Sequence, residues 1–346
     1  MILGKVREDR RRRSRLEMQR YDNYVAVDWS ISNMAIAIMK KGSGRLRVAD
    51  VPSNILELKR YLKELPGKTV VAFEESTGAH WLYLEIKEVV ERVIVCDPFK
   101  NRLLSDGPKT DKIDATKLVE LLRAGMLTEV FHGDDEELYK LRRLVAAYDD
   151  VIKHGVRSKN QRHSLICGIG SDPGKLDDAT AFISVFLDRN VSLYEETKSA
   201  YEAEFEKWRR KNRSIKALAS LDGIGPIRAA KILAAVIEPK RFSTTGRYLA
   251  YCGLVRVEKT SGRKKYGTRK PHYNRILKGI YNGAAMSAIN GTGPIREYYD
   301  YLLKKGVAEH NARVAVARYI ARLTLGIMKS NEKYEPYRWR KKLRKK

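Results

Sequence analysis

The sequence has no uninterrupted apolar stretch of the length that a bilayer-spanning helix needs. Residues 1–20 contain many charged side chains and therefore lack the apolar segment that secretory signals have. Cysteine is scarce: Cys96, Cys167 and Cys252 are the only three in 346 residues, and no two have CxxC spacing. This pattern argues against a zinc site and against a disulfide framework. We therefore expect a protein of a reducing cytoplasm.

Acidic residues are also few relative to basic ones. The chain has 42 Asp and Glu against 69 Lys and Arg, which gives a formal net charge of +27. A charge this large repels itself, and a polyanionic partner would relieve the repulsion. Nucleic acid is the leading candidate, and an anionic membrane surface is the alternative. Basic residues concentrate at both ends, so we predict a basic arm over residues 1–20 and a basic tail over residues 331–346.

Apolar periodicity predicts an α/β domain over residues 21–130. Three successive stretches alternate as strands do, and later strands then alternate with helical stretches. The predicted strands cover 24–28, 34–40, 45–51, 69–76 and 92–97, and the predicted helices cover 55–65 and 80–90. Three strands in succession followed by alternating helix and strand favour a ribonuclease-H-like (RuvC-like) order over a doubly wound nucleotide-binding fold.

The remainder of the chain has mostly helical periodicity. Two long charged helices are predicted within residues 131–213, on either side of a break rich in glycine at 168–174. They predict a helical hairpin, either a coiled-coil arm or a packing subdomain. Residues 214–330 predict a separate, mostly helical domain. The predicted fold class is thus α/β followed by all-α.

Acidic residues fall at the ends of predicted strands and at a helix start. Asp28 ends the first strand, Glu74 and Glu75 end the fourth, and Asp111 and Asp114 open a helix. Asp111 and Asp114 are three residues apart and so lie on one helical face. Carboxylates gathered in one cleft repel each other unless a cation lies among them, and oxygen ligands select Mg²⁺ or Mn²⁺. The alternation does not decide between Glu74 and Glu75, and each acid taken alone could be an ordinary turn or helix-start residue.

Two further segments contain glycine and basic residues. Leu221–Ala230 reads LDGIGPIRAA, a helix-hairpin-helix pattern in which Gly223, Gly225 and Arg228 would contact a phosphate backbone; a tight helix corner is the alternative. Ser261 follows in a basic segment bracketed by glycines, and spacing alone identifies it only as a loop serine. Neighbouring basic residues predicted to hold phosphates are Arg263, Lys264, Lys265, Arg269 and Lys270.

Taken together, these segments resemble the DEDD-type insertion-sequence transposases related to the Piv site-specific invertase, the bridge-RNA-guided recombinases. The matching segments, in family order between residues 24 and 330, are YVAVDWS, FEESTGAHW, PKTDKIDATKLVELL, LDGIGPIRAAKIL, RFSTTGRYLAYCGL and KTSG. The chain departs from the family's Gly-Asn pair before the last helices, where it reads His272-Tyr273-Asn274-Arg275.

The resemblance implies a set of site residues and partners. It assigns the acidic tetrad to Asp28, Glu75, Asp111 and Asp114, with Glu75 chosen because Glu75–Gly78 matches the family's E-x-T-G, and it makes Ser261 the nucleophile. It further implies Mg²⁺ or Mn²⁺, double-stranded donor and target DNA, a guide non-coding RNA, and dimers that join into a tetramer. A bacterial or archaeal, nucleoid-associated location is implied as well.

The predicted function is RNA-guided, Mg²⁺-dependent DNA strand cleavage and exchange through a covalent phosphoserine intermediate. The alternative is a metal-dependent, junction-resolving endonuclease that uses water as its nucleophile and in which Ser261 is dispensable. A non-catalytic nucleic-acid-binding protein is a second alternative. His80, which follows the E-x-T-G segment, is interpreted as a surface histidine.

Overall fold

The computed structural model describes residues 16–98, 110–130, 132–133, 135–167, 177–261, 264–269, 271–332, 334 and 336. These residues form two compact units, one up to Asp134 and one from Asp135 onward. Within the described residues, no helix combines the length and the apolar character needed to cross a membrane.

The first unit is built on a mixed five-stranded sheet with strand order β3-β2-β1-β4-β5. Its first three strands are antiparallel, whereas β4 pairs parallel with β1, and β5 pairs parallel with β4. The elements are β1 (Asn23–Trp29), β2 (Asn33–Lys40), β3 (Ser43–Pro52), α1 (Ile55–Glu64), β4 (Thr69–Glu74), α2 (Ala79–Ile86), β5 (Arg92–Cys96) and α3 (Asp111–Arg123). The predicted α/β class and its five strands are confirmed in this unit.

Helices cover both faces of this sheet, which is why the central strands are apolar at successive positions. On one face, Ala26 of β1 and Ala72 of β4 belong to a core that includes Ala115 and Leu118 of α3. On the opposite face, the neighbouring strand residues pack against α1 and α2. That second core contains Val25, Val27, Val71, Phe73, Leu58, Leu82 and Ile86.

The second unit is mostly helical, as predicted. Its elements are α4 (Glu136–Ile166), α5 (Asp178–Lys211), α6 (Arg213–Leu218), α7 (Pro226–Val236), α8 (Thr245–Tyr251), β6 (Val257–Ser261), β7 (Lys264–Arg269), α9 (Arg275–Asn290), α10 (Pro294–Lys304) and α11 (Glu309–Ser330). Helices α6 to α11 share one apolar core, to which the base of the α4–α5 pair contributes Leu141, Tyr148 and Phe205.

The two long helices α4 and α5 pack closely along each other. Gly155 makes this possible, because a Cβ there would lie 2.1 Å from Cδ2 of Tyr194. Farther along, Lys159 forms an ion pair with Glu195, and its ammonium group lies over the ring of Tyr194. Two long helices thus pack along each other, and the glycine-rich break predicted between them lies outside the described residues.

Two local predictions need correction. The predicted basic arm over residues 1–20 includes residues that pack on the sheet, since Met18 is buried and its carbonyl accepts a hydrogen bond from the Tyr24 hydroxyl. The rest of the arm, residues 1–15, and most of the basic tail lie outside the described residues. The segment around Ser261, interpreted as a loop, is the antiparallel β6–β7 hairpin.

Candidate active site

Asp28 occupies the sheet face that α3 covers. Tyr24 and Ala26 of β1 lie in the core beneath α3, and side chains alternate along a strand, so Asp28 continues the same row. It lies just beyond the apolar core and is partly exposed. The strand thus directs this carboxyl group toward the N-terminal end of α3.

The first turn of α3 supplies two more carboxylates. Thr110 caps the helix by accepting a hydrogen bond from the Ile113 amide, which fixes where the first turn begins. Asp111 and Asp114 both lie in this turn, where the helix dipole favours negative charge. Ala115 and Leu118 then anchor the helix on the sheet. Predicted and observed helix starts agree at this position.

These three carboxylates lie close enough for the charges of Asp111 and Asp114 to act on Asp28. Burial, followed by the negative charges of Asp111 and Asp114, raises the pKa of Asp28. Asp114 Oδ1 is buried, and no hydrogen-bond donor for it is found in the described part of the chain. A buried, unpartnered carboxylate oxygen beside two like charges is what a divalent cation would compensate. The donor set therefore fits a hard, oxygen-liganded cation such as Mg²⁺ or Mn²⁺.

The fourth predicted acid is arranged differently. Ala26 of β1 pairs with Ala72 of β4, so Asp28 is level with Glu74 two residues farther along the parallel strands. Ala26 and Ala72 lie on the sheet face that α3 covers, and side-chain alternation places Asp28 and Glu74 on that same face. Glu75 follows the end of β4, and its carboxylate instead binds the imidazole of His132. Among the described residues, no three His, Cys, Asp or Glu side chains are placed to ligate one ion as they stand.

The helix-hairpin-helix glycines have two distinct roles. Gly223 has φ +80°, and a Cβ there would lie 2.2 Å from the carbonyl oxygen of Ala284, so its small size is needed for packing. Gly225 caps α7, and a Cβ there would meet nothing within 4 Å. Arg228 Nη1 donates to the Gly223 carbonyl at 2.7 Å and to Ser287 Oγ at 2.9 Å, so it braces the turn.

The β6–β7 hairpin carries the predicted nucleophile and part of the basic cluster. Ser261 is the last residue of β6, and its backbone pairs with Lys264 of β7. The side chains of Lys264, Lys265 and Arg269 are exposed, and Lys265 forms an exposed ion pair with Glu258. The other two predicted phosphate contacts, Arg263 and Lys270, lie outside the described residues.

Sequence reasoning missed two histidines next to this site. His132 binds Glu75, and its ring stacks on His80, with the ring centroids 5.3 Å apart. His80, interpreted from sequence as a surface residue, is buried at 7% exposure. One signal was available: these are the only two histidines in residues 1–134, although nothing local indicates that they pair.

Two family models match the chain in separate regions. A DEDD transposase model of the IS110 type, described as "Transposase", matches residues 25–170. A model described as "Transposase IS116/IS110/IS902 family" matches residues 215–300. The first match contains the carboxylates at the sheet edge, and the second contains the helix-hairpin-helix and the β6–β7 hairpin.

Individual relatives agree with these matches. A Sinorhizobium fredii protein designated transposase y4qE is 26% identical over 73% of this chain and 68% of its own length. A Pseudomonas aeruginosa protein named "Probable family 20 transposase" is 21% identical over 81% of this chain and 89% of its own length. The 44.8 kDa protein of insertion element IS116 from Streptomyces clavuligerus is 28% identical over 40% of this chain and 35% of its own length.

Proposed function

We propose that this chain, which belongs to the IS110/IS116/IS902 family of DEDD-type insertion-sequence transposases, cuts and rejoins DNA at a divalent-cation site on its first unit. The observation that carries the proposal is the convergence of Asp28 with Asp111 and Asp114 at one edge of the sheet. The strand order β3-β2-β1-β4-β5 supports a RuvC-like identity for this unit.

The proposed cation ligands are Asp28, Glu75, Asp111 and Asp114. The charges of Asp111 and Asp114 act on Asp28, and the family motif supplies Glu75 as the remaining carboxylate. When bound, Mg²⁺ or Mn²⁺ would favour ionisation of an attacking hydroxyl and neutralise charge on the leaving oxygen of a phosphodiester. Without a cation, three clustered carboxylates would repel the phosphate that they are proposed to act on.

Ser261 is the proposed nucleophile. Its hydroxyl oxygen would bond to phosphorus as the strand's own P–O bond breaks, and the proton lost by the serine would end on the departing strand oxygen, which becomes a hydroxyl. Attack by the hydroxyl of another strand end would then reverse this step, releasing serine and joining the new ends. The bond energy is conserved in the phosphoserine link, so no nucleotide cofactor is needed. Its place at the end of β6, beside exposed Lys264 and Lys265, supports contact with a phosphate backbone.

Nucleic acids are the proposed partners. A net charge of +27 favours polyanions, and the exposed basic side chains of β7 would bind phosphates without reading sequence. Pairing with a guide RNA would then select the donor and target DNA, as the family resemblance implies. Exposed apolar side chains near the start of α5 support assembly with a second copy. They are Phe182, Ile183 and Phe186.

The test uses a recombination assay with wild-type protein, Ser261→Ala and Asp28→Asn. The proposal expects Mg²⁺-dependent joining and a trapped protein–DNA adduct in the wild type, and neither product in either variant. Cleavage that survives Ser261→Ala but not Asp28→Asn would instead identify the junction-resolving endonuclease with water as its nucleophile. Undiminished activity in Asp28→Asn would exclude the proposed cation site altogether.

A further inference from the structure

The carboxylate of Glu75 is held by a buried imidazole. His132 Nε2 is in hydrogen-bond contact with Glu75 Oε2. The side chain of His132 is 2% exposed, whereas that of Glu75 is 30% exposed. The imidazole is therefore part of the protein interior, and the carboxylate lies at the boundary with solvent. Such an arrangement fixes one carboxylate oxygen and leaves the group partly open to solvent.

A second imidazole fixes the first. His80 Nδ1 lies 3.0 Å from His132 Nδ1, and the two rings stack at an interplanar angle of 26°. The ring of Tyr83 lies 5.6 Å from the His132 ring. His132 is thus flanked by two rings contributed by α2, which restricts its rotation.

The hydrogen-bond chemistry assigns the protons along this chain of groups. An ionised carboxylate only accepts, so His132 Nε2 carries the hydrogen that Glu75 receives. In a neutral His132 ring, Nδ1 carries no hydrogen and is an acceptor, so the hydrogen bond between the rings must be donated by His80 Nδ1. One proton arrangement with both rings neutral therefore satisfies both contacts: Glu75 requires the Nε2–H tautomer of His132, and the His80 Nδ1–H group supports that tautomer.

The backbone delivers these residues from distant parts of the chain. Glu75 follows β4, and its amide donates to the Cys96 carbonyl at 2.9 Å. His80 lies in the first turn of α2. His132 arrives from the segment after α3, which is attached to β5 by the Val130 amide donating to the Val95 carbonyl at 2.7 Å. Three backbone-anchored segments therefore converge on one carboxylate.

We propose that His132, held in one tautomer by His80, is a positioning residue that orients the Glu75 carboxylate for the divalent cation. The inference rests on the proposed function, because it takes Glu75 to be a ligand. Outer hydrogen-bond partners of a ligand commonly change metal affinity about 10- to 100-fold when they are removed. The expected signature is therefore a change in cation affinity, separate from any change in fold.

The experiment measures Mn²⁺ binding to the full chain by the electron paramagnetic resonance signal of the free ion, with no substrate present. His132→Gln keeps an N–H donor near the position of Nε2, and His132→Leu removes it. We expect about a 10- to 100-fold weaker Kd in His132→Leu and a Kd within about threefold of wild type in His132→Gln. His154→Gln, at an exposed position of α4, is the matched control and should bind as wild type does.

A second measurement does not depend on how the variants fold. The sequence has six histidines, so ¹⁵N-histidine NMR of the wild type is readily resolved. We expect the Nε2–H tautomer for His132, the Nδ1–H tautomer for His80, and a change in the His132 resonances on addition of Mg²⁺. Tautomers opposite to these, or His132 resonances insensitive to saturating Mg²⁺, would overturn the inference.

Failure of the inference is distinguishable from failure of the proposed function. If Asp28→Asn and Asp111→Asn leave Mn²⁺ binding unchanged, the proposed cation site is wrong. If both weaken binding while folded His132→Leu binds as tightly as His132→Gln, only the positioning role of His132 is wrong.

Discussion

Replacing Gly223 and Gly225 separately by alanine distinguishes packing from nucleic-acid contact within one turn. At Gly223, φ is +80° and the new Cβ would lie 2.2 Å from the Ala284 carbonyl oxygen. The left-handed backbone costs about 1–2 kcal/mol for alanine, and forcing a methyl group into packed backbone adds about 1–3 kcal/mol. We expect Gly223→Ala to lower the free energy of unfolding by about 3 kcal/mol, or roughly 6–12 °C in Tm for a unit of this size.

Gly225→Ala is the matched control. Its Cβ would enter open space, and its φ of −82° is accessible to alanine. Alanine weakens the helix cap but also reduces the freedom of the unfolded chain, and these two effects nearly cancel. The free energy of unfolding should therefore change by less than about 1 kcal/mol. If a phosphate approaches the start of α7, binding of a short duplex should weaken by about fivefold, which is about 1 kcal/mol.

Thermal unfolding and fluorescence anisotropy with labelled duplex DNA measure both quantities. A wild-type Tm for Gly223→Ala would refute the steric reasoning. A large loss of stability in Gly225→Ala would refute the assignment of open space at α7. Wild-type DNA affinity in a folded Gly225→Ala would remove this helix start from the nucleic-acid interface.

Three further predictions concern the site itself. Because folding raises the pKa of Asp28, the folded state loses stability as pH rises from the unfolded-state pKa of this group to its folded-state pKa. Without divalent cations, Asp28→Asn should therefore have a higher Tm than wild type at neutral pH and the same Tm in acid. Thermal unfolding followed by circular dichroism measures both. Glu75→Gln should weaken Mn²⁺ binding more than Glu74→Gln if the family motif identifies the ligand, and calorimetry showing the reverse order would favour strand alternation instead. Ser261→Ala should keep wild-type DNA affinity but form no protein–DNA adduct in denaturing gels, and an undiminished adduct would contradict its role.

Local sequence patterns were sufficient where a contact depends on neighbours along the chain. Asp28 at a strand end, and Asp111 with Asp114 on one helical face, follow from periods of two and 3.6 residues. The sequence could not predict that Glu74 shares a sheet face with Asp28 and α3, because this depends on which side of the sheet α3 covers. That packing joins Ala72 to Ala115, more than forty residues away in the sequence.

Other parts of the site have no local signature at all. His132 lies in an aperiodic stretch after α3, and its contact with Glu75 spans 57 residues. The β6–β7 hairpin was missed because its glycines and lysines have the composition of a loop. Its strands are defined by their pairing with each other, which begins with Val257 opposite Arg269. Gly223 was predicted as a phosphate contact, and its role in packing against Ala284 depends on a helix about sixty residues later.

The most direct test of the central claim is a crystal structure of the protein soaked in Mn²⁺, with anomalous diffraction recorded for the manganese. The account predicts an anomalous peak bounded by the carboxylates of Asp28, Asp111 and Asp114, and its loss in crystals of Asp28→Asn. Saturating Mn²⁺ with no peak among these three side chains, in a lattice that leaves them accessible, would contradict it.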